Sequence, residues 1–150
     1  MTVQRILNTR EPAEPANVTP DTPVGEVLEL LESQGVSAVI VSSDGQTVEG
    51  IVSERDIVRA LKSNGSEVLE KRARELMTRE VFTCVAEDRV AGIMAVMIDR
   101  HVRHVPVVKD GRFVSMVSIR DMLQLRLDEV QSEADAMRSY INGGGPEVRL

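Results

Sequence analysis

Two short motifs of serine, arginine and aspartate carry the chemistry that this sequence offers. They are Ser53, Arg55 and Asp56, and, sixty-five residues later, Ser118, Arg120 and Asp121. A serine three residues before an acidic residue is typical of a capping box at a helix N-terminus. The unpaired N–H groups of such a terminus also suit a phosphate, and a carboxylate beside them can accept hydrogen bonds from a vicinal diol. The motifs therefore predict helix caps or sites for a phosphorylated sugar, and both interpretations stay open.

Arginines gather around these motifs in a protein that is acidic as a whole. Arg59 follows the first motif, and Arg100 and Arg103 precede the second. The formal net charge of −6 argues against a general nucleic-acid surface, which needs a basic balance. Arginines clustered near helix starts instead favour a local anion site, because they can add charge-assisted hydrogen bonds to phosphate oxygens.

The duplication extends beyond the motifs and predicts two packed halves. Five residues recur at a spacing of sixty-six, namely Val36, Val39, Val41, Asp44 and Gly45, which match Val102, Val105, Val107, Asp110 and Gly111. Each half reads as strand, helix, two strands and helix. The predicted strands are Ala16–Val18, Ser37–Val41 and Val48–Val52, then Phe82–Val85, Arg103–Val108 and Phe113–Val117.

Local signals place the ends of these elements. Thr22 and Asp88 are good N-caps for the first helix of each half, and Pro23 suits the first helical position. The Asp-Gly pairs at 44–45 and 110–111 predict hairpin turns, and the second helices should begin at Ser53 and Ser118. We also expect short helices at 3–7 and 74–77 and a loop at 11–16.

Three segments are similar to tandem cystathionine-beta-synthase (CBS) domains: Gly50-Ile-Val-Ser-Glu-Arg-Asp56, Ser115-Met-Val-Ser-Ile-Arg-Asp121 and His101-Val-Arg-His-Val-Pro-Val-Val108. The resemblance covers about residues 3–141. It implies an α/β (α+β) fold of two β-α-β-β-α repeats packed sheet to sheet with pseudo-two-fold symmetry, followed by a long C-terminal helix. The corresponding division is 1–66 for the first repeat with its N-terminal segment, 67–141 for the second, and 142–150 for a flexible tail.

The same resemblance implies two clefts that hold adenosine-containing ligands such as AMP, ADP, ATP, NAD(H) or S-adenosylmethionine. Asp56 and Asp121 would hold the ribose, and Ser53, Ser118, Arg55 and Arg120 would lie toward the phosphate. Strand ends at Ser37, Ala38, Arg103 and His104 would line the clefts, with Thr19 and Thr83 near the base.

The two halves depart from each other at two places. Gly50 keeps the glycine that usually precedes the third strand in this family, whereas Ser115 replaces it and could narrow the second cleft. Conversely, Ser37-Ala38 lacks the charge of Arg103-His104. We therefore expect unequal sites, with stronger phosphate binding at the one that carries Asp121.

Catalysis and metal binding are disfavoured. His101 and His104 lie three apart around a strand start, a spacing that tends to place them on opposite faces. Neither Asp56 nor Asp121 has a recognisable nucleophile or base beside it in the sequence, so we predict that the chain is not an enzyme. The single cysteine, Cys84, is expected to be a small buried residue and fits a reducing cytoplasm.

The last helix carries an apolar stripe at heptad-like spacing, Leu123, Leu127, Val130, Ala134, Met137 and Ile141. Such a stripe predicts either a helix folded back on its own domain or a seam between subunits, and we favour the seam of a homodimer.

The function predicted from the sequence is that of a cytoplasmic, homodimeric regulatory module that binds an adenine nucleotide and signals to a separate protein. Two alternatives stay open: a ligand-independent dimerising adaptor, and a redox-responsive module that reads NAD(H). The preferred nucleotide and the regulated protein cannot be identified from the sequence.

Overall fold

A computed structural model describes residues 1–11 and 15–143. The helices are α1 (Val3–Asn8), α2 (Val24–Gln34), α3 (Glu54–Asn64), α4 (Ala73–Leu76), α5 (Val90–Arg100) and α6 (Ile119–Asn142), with a 3-10 helix at Gly65–Glu70. The strands are β1 (Asn17–Val18), β2 (Ala38–Val41), β3 (Gly50–Ser53), β4 (His104–Lys109) and β5 (Arg112–Ser118). Part of the predicted 11–16 loop and all but two residues of the predicted 142–150 tail lie outside the described residues.

The strands form two small sheets, one in each half. In the first, β1 pairs parallel to β2 and β2 pairs antiparallel to β3. In the second, β4 and β5 form an antiparallel hairpin. The two-residue turn of that hairpin is Asp110-Gly111, and both residues have positive φ angles, 52° and 75°. This agrees with the Asp-Gly signal, because a type I′ turn needs positive φ at both central positions.

The predicted strand Phe82–Val85 is wrong as a strand. Only Cys84 pairs with the sheet, in an isolated parallel bridge to Val107. The chain turns away directly afterwards, because the Val85 N–H donates to the Asp88 carboxylate at 2.9 Å instead of to a strand. In the second half, the isolated bridge at Cys84 therefore replaces the strand that corresponds to β1.

The predicted caps at Thr22 and Asp88 are also wrong by one residue. The helices α2 and α5 begin after Pro23 and Arg89, and neither helix has a side-chain cap. The Thr22 hydroxyl accepts from the Thr19 N–H at 3.1 Å, just as Asp88 accepts from Val85. Both side chains thus accept from a main-chain N–H three residues earlier, in the turn before the helix. The prediction identified the right polar residues but assigned them the wrong hydrogen-bond donors.

Each half has its own aliphatic core, and the short helices complete them. Val3 and Ile6 of α1 are buried in the core of the second half, and Val68 and Ala73 are buried in that of the first. Main-chain bonds anchor both segments, from Val3 N–H to the Asp88 carbonyl at 2.9 Å and from Ala73 N–H to the Thr22 carbonyl at 2.8 Å. The segment before the first repeat thus packs on the second.

Cys84 lies within the second core and is 2% exposed. Burial, with a smaller contribution from Asp88, raises the pKa of its thiol to about 12. The thiol therefore stays protonated at neutral pH, and this supports its role as a small packing residue over a reactive one.

The long helix α6 has two apolar faces. Met122 and Leu125 are buried against the second half. The opposite face carries the stripe predicted from the sequence, of which the large side chains are exposed: Leu123 (47%), Leu127 (64%), Val130 (51%), Met137 (67%) and Ile141 (76%). The stripe is thus not folded back on the chain. Among the described residues, no helix is both long enough and apolar enough to cross a membrane.

Candidate functional site

Both Ser-x-x-Asp motifs form complete capping boxes. Ser53 and Ser118 are the N-caps of α3 and α6. In the first box the Ser53 N–H and hydroxyl donate to Oδ2 of Asp56 at 2.8 and 2.9 Å, and in the second the corresponding distances to Asp121 are 2.7 and 2.9 Å. Because these bonds use Oδ2 alone, Oδ1 of each carboxylate can still accept from a ligand. The capping interpretation is thus correct, and it is compatible with the binding interpretation.

A cleft of about 840 Å³ lies between the two halves at the N-terminus of α6. Seven of the predicted site residues line it: Ser37, Ala38, Arg103, His104, Ser118, Arg120 and Asp121. The other five, Thr19, Ser53, Arg55, Asp56 and Thr83, are not part of its lining. The cleft therefore joins strand ends from both halves to the cap of one helix only.

In the first half, the linker before the second repeat packs on β3. The N–H and carbonyl of Thr78 bond to the carbonyl and N–H of Ile51 in β3, at 2.9 and 3.1 Å. A Cβ built on Gly50 would lie 2.6 Å from Sδ of Met77. Gly50 is therefore required for the close approach of Met77. Ser115, which replaces this glycine in the second half, lines the open cleft and does not close it.

His104 and Ser37 connect the two halves inside the cleft. Nε2 of His104 and Oγ of Ser37 share a hydrogen bond of 2.6 Å. Burial lowers the pKa of His104 below its ordinary value of 6.5; Asp121 opposes this shift and Arg103 adds to it. His104 is therefore neutral at pH 7, and the positive charge at the strand end comes from Arg103.

The lowered pKa of His104 predicts a loss of stability in mild acid. The unfolded chain binds the proton at about pH 6.5 and the folded chain only at lower pH, so the free energy of unfolding should fall as pH drops below about 6.5. One proton limits the slope to about 1.4 kcal/mol per pH unit. Urea unfolding at several pH values should show this slope in the wild type and not in His104→Gln.

His101 provides a matched control, because it is exposed at the end of α5. The His101→Gln variant should retain the slope between pH 5 and 6.5. An identical slope in wild type and His104→Gln would show that the buried imidazole is not its source. Asp121 acts at lower pH, since its pKa lies below 3.8.

Arg10 is the residue of the cleft that sequence reasoning missed. Its guanidinium forms an ion pair with Oδ2 of Asp121 and donates to the Met116 carbonyl at 2.6 Å. Burial of the Asp121 carboxyl raises its pKa, but the bonds from Arg10 and Ser118 outweigh burial and the net pKa is lowered. A lone arginine in a loop has no spacing that could have indicated this contact.

The described part of the chain contains no group of three or more His, Cys, Asp or Glu side chains arranged to hold a metal ion. The cleft instead combines the N-terminus of α6, Oδ1 of Asp121, which accepts no bond from a described residue, and the cationic side chains of Arg10, Arg103 and Arg120. Such a set suits an anionic ligand that also carries hydroxyl donors.

Comparison with known proteins supports the repeat and the fold. The CBS domain family profile matches residues 6–63 and 73–128. The CBS-domain containing protein ATU1752 of Agrobacterium tumefaciens has a similar structure, with a TM-score of 0.80 and 30% identity over 84% of this chain and 99% of that one. The predicted mixed α and β fold with its C-terminal helix is thereby confirmed.

Two further similar structures contain ligands. The CBS domain pair of protein MJ0100, in complex with 5′-methylthioadenosine and S-adenosyl-L-methionine, has a TM-score of 0.75 and 25% identity over 86% of this chain and 98% of that one. The CBS domain protein PAE2072 of Pyrobaculum aerophilum, complexed with AMP, has a TM-score of 0.69 and 26% identity over 81% and 89%. This chain spans only about three fifths of the first curated relatives, 63% of one and 59% of another.

Proposed function

The chain belongs to the CBS domain family, and on that premise we propose that it is a regulatory module that binds an adenosine-containing ligand between its repeats and signals to a separate protein. The ligand would be AMP, ADP, ATP or NAD(H). The observation that carries the proposal is the cleft of about 840 Å³ with Asp121 at its helix end. Its volume lies within the range of about 300–1,000 Å³ that is usual for small-molecule sites.

The chemistry of the cleft supports a nucleotide over other ligands of that size. Oδ1 of Asp121 can accept from the ribose hydroxyls while Oδ2 maintains the helix cap. The N-terminus of α6 and the guanidinium of Arg120 offer donors to a phosphate. Apolar residues of the lining, among them Val36 before β2 and Met116 in β5, offer contact area to a purine. The similar CBS domain protein of Pyrobaculum aerophilum is complexed with AMP, and this supports an adenosine nucleotide as the ligand.

We propose one principal site in each chain. Asp121 lines the open cleft, whereas Asp56 is not part of its lining. The difference in charge between the strand ends, Arg103-His104 against Ser37-Ala38, supports the same inequality.

A regulatory role without catalysis and a cytoplasmic location belong to the same proposal. The cleft lining contains no cysteine. Its serine–histidine pair is Ser37 with His104, but Asp121 bonds Ser118 and Arg10 and not His104, so among the described residues no Ser-His-Asp triad is completed there. The single cysteine of the chain, Cys84, is compatible with a reducing compartment.

Isothermal titration calorimetry of the purified protein with AMP, ATP, NADH and S-adenosylmethionine tests the proposal. We expect saturable binding of at least one of these, with a stoichiometry near one per chain. Stronger binding of NADH than of AMP would favour the redox-responsive alternative. No heat with any of the four, on protein freed of copurified nucleotide, would overturn the proposal.

The exposed stripe of α6 favours a second candidate function, that of a dimerising adaptor that needs no ligand. Large apolar side chains such as Leu127 and Met137 are more than half exposed, and such a surface is typical of an interface. We propose that these helices pair in a homodimer. In the adaptor alternative, pairing would be the whole function, and nucleotide would alter neither assembly nor partner binding.

A further inference from the structure

Equivalent carbonyl groups in the last strand of each half accept hydrogen bonds from different kinds of donor. Met116 is the counterpart of Ile51 at the repeat spacing of sixty-five. The carbonyl of Ile51 accepts from the N–H of Thr78 at 2.9 Å, whereas that of Met116 accepts from the guanidinium of Arg10 at 2.6 Å. Among the described residues, the Ile51 carbonyl is therefore bonded by main chain and the Met116 carbonyl by a side chain.

The two contacts differ in what must be broken to release them. Releasing Thr78 would break two main-chain hydrogen bonds to Ile51 and unseat Met77 from Gly50. Releasing Arg10 requires only rotations of a side chain that is about one third exposed. A ligand that displaces Arg10 from Asp121 therefore breaks side-chain bonds and no main-chain pairing among the described residues.

Arg10 and a ribose would meet at the same carboxylate, Arg10 on Oδ2 of Asp121 and the ribose on the neighbouring Oδ1, so a bound ribose crowds the guanidinium. The guanidinium bonds Oδ2 of Asp121, and Arg10 lines the cleft beside the N-terminus of α6, where the ligand would bind. A ligand that displaces it leaves a partly buried cation without its carboxylate, and this costs free energy unless a new anion is supplied. A phosphate supplies one, and a neutral thioether or a sulfonium does not.

We propose, as an extension of the proposed function, that Arg10 is a specificity-determining residue. In the free protein it occupies Asp121, and in the complex it moves to the 5′-phosphate of the ligand. It thereby selects AMP or ADP over adenosine compounds that lack a phosphate, such as 5′-methylthioadenosine. Arg103 and Arg120 form no ion pair among the described residues, whereas Arg10 must first leave the carboxylate of Asp121 before it can bond a phosphate.

Titration of AMP and 5′-methylthioadenosine into wild type and Arg10→Ala tests this proposal. The variant loses the competitor for Asp121 and also loses a phosphate partner. We expect about 5-fold tighter binding of 5′-methylthioadenosine and equal or weaker binding of AMP, so that the preference for AMP falls by at least about 5-fold. Arg5→Ala is the control, because Arg5 lies on the same segment and pairs with Glu129, outside the cleft.

The outcomes separate this proposal from the one on which it rests. AMP binding with an unchanged preference in Arg10→Ala would overturn the role of Arg10 and leave the nucleotide site standing. No binding of either compound to wild type and both variants would overturn both proposals. Binding to Arg10→Ala but not to wild type would support the displacement of Arg10 in its strongest form. The Arg10→Lys variant, which keeps the charge without the planar fork, should show an intermediate preference.

Discussion

Replacement of Asp121 by asparagine is expected to weaken AMP binding by about 100-fold, the largest effect of any single change in the cleft. The carboxylate can accept two hydrogen bonds from the ribose diol, and hydrogen bonds to a charged group contribute about 1.5–3 kcal/mol each. The amide retains one acceptor and turns its other atom into a donor that faces the diol. Calorimetric titration of AMP into both proteins measures the loss directly.

The repeat provides the control for this experiment. Asp56 forms the same capping box on α3, with bonds of 2.8 and 2.9 Å, but lies outside the cleft lining. Asp56→Asn should therefore weaken its helix cap to a similar extent, by about 1 kcal/mol, and change AMP affinity less than about 3-fold. Equal losses of affinity in the two variants would mean that the effect comes from the caps, or that both halves bind.

The features that could be predicted from sequence are those set by neighbouring residues. The caps at Ser53 and Ser118 were predicted correctly because a capping box is formed within four residues. The turn at Asp110-Gly111 was predicted for a similar reason, since positive φ at two successive positions restricts the residue types. The stripe on α6 followed from helical geometry alone.

The features that were missed depend on distant parts of the chain. Arg10 reaches the carbonyl of Met116 across 106 residues, and no local pattern encodes that contact. The failed strand at Phe82–Val85 has suitable residues but only one partner position, at Val107. The sequence could indicate that another group lies close to the backbone at Gly50, but only the tertiary structure shows that this group is the side chain of Met77.

The same distinction applies to the two clefts. Sequence comparison of the repeats indicated that they would differ, because Arg103-His104 replaces Ser37-Ala38. It could not show that the linker residue Thr78 pairs with β3, or that the Arg10 guanidinium bonds the Met116 carbonyl in β5. Both halves have the same capped helix, and the contacts that their last strands make with preceding segments had to be found in the tertiary structure.

The exposed stripe of α6 leads to the second large expected effect, on assembly. Substituting glutamate at both Leu127 and Val130 should convert the proposed homodimer to monomer, raising its dissociation constant by more than about 100-fold. The stripe would be buried along a helix about 36 Å long, and a carboxylate buried there without a partner is costly. Sedimentation equilibrium at several protein concentrations gives the dissociation constants.

A control of equal charge distinguishes the stripe from the rest of α6. Ser132 and Ser139 are exposed and lie on the face of the helix away from the stripe, in the same heptad position as Leu125. Ser132→Glu with Ser139→Glu adds the same two charges and should leave the dimer intact. If wild type is monomeric at all concentrations, α6 does not pair with its own copy. If wild type is dimeric and the variant with glutamate at both Leu127 and Val130 is also dimeric, the interface lies elsewhere.

If that variant is monomeric and retains its AMP affinity, assembly and ligand binding use separate surfaces. A nucleotide signal would then have to pass along α6, from its cap at Asp121 to the exposed stripe.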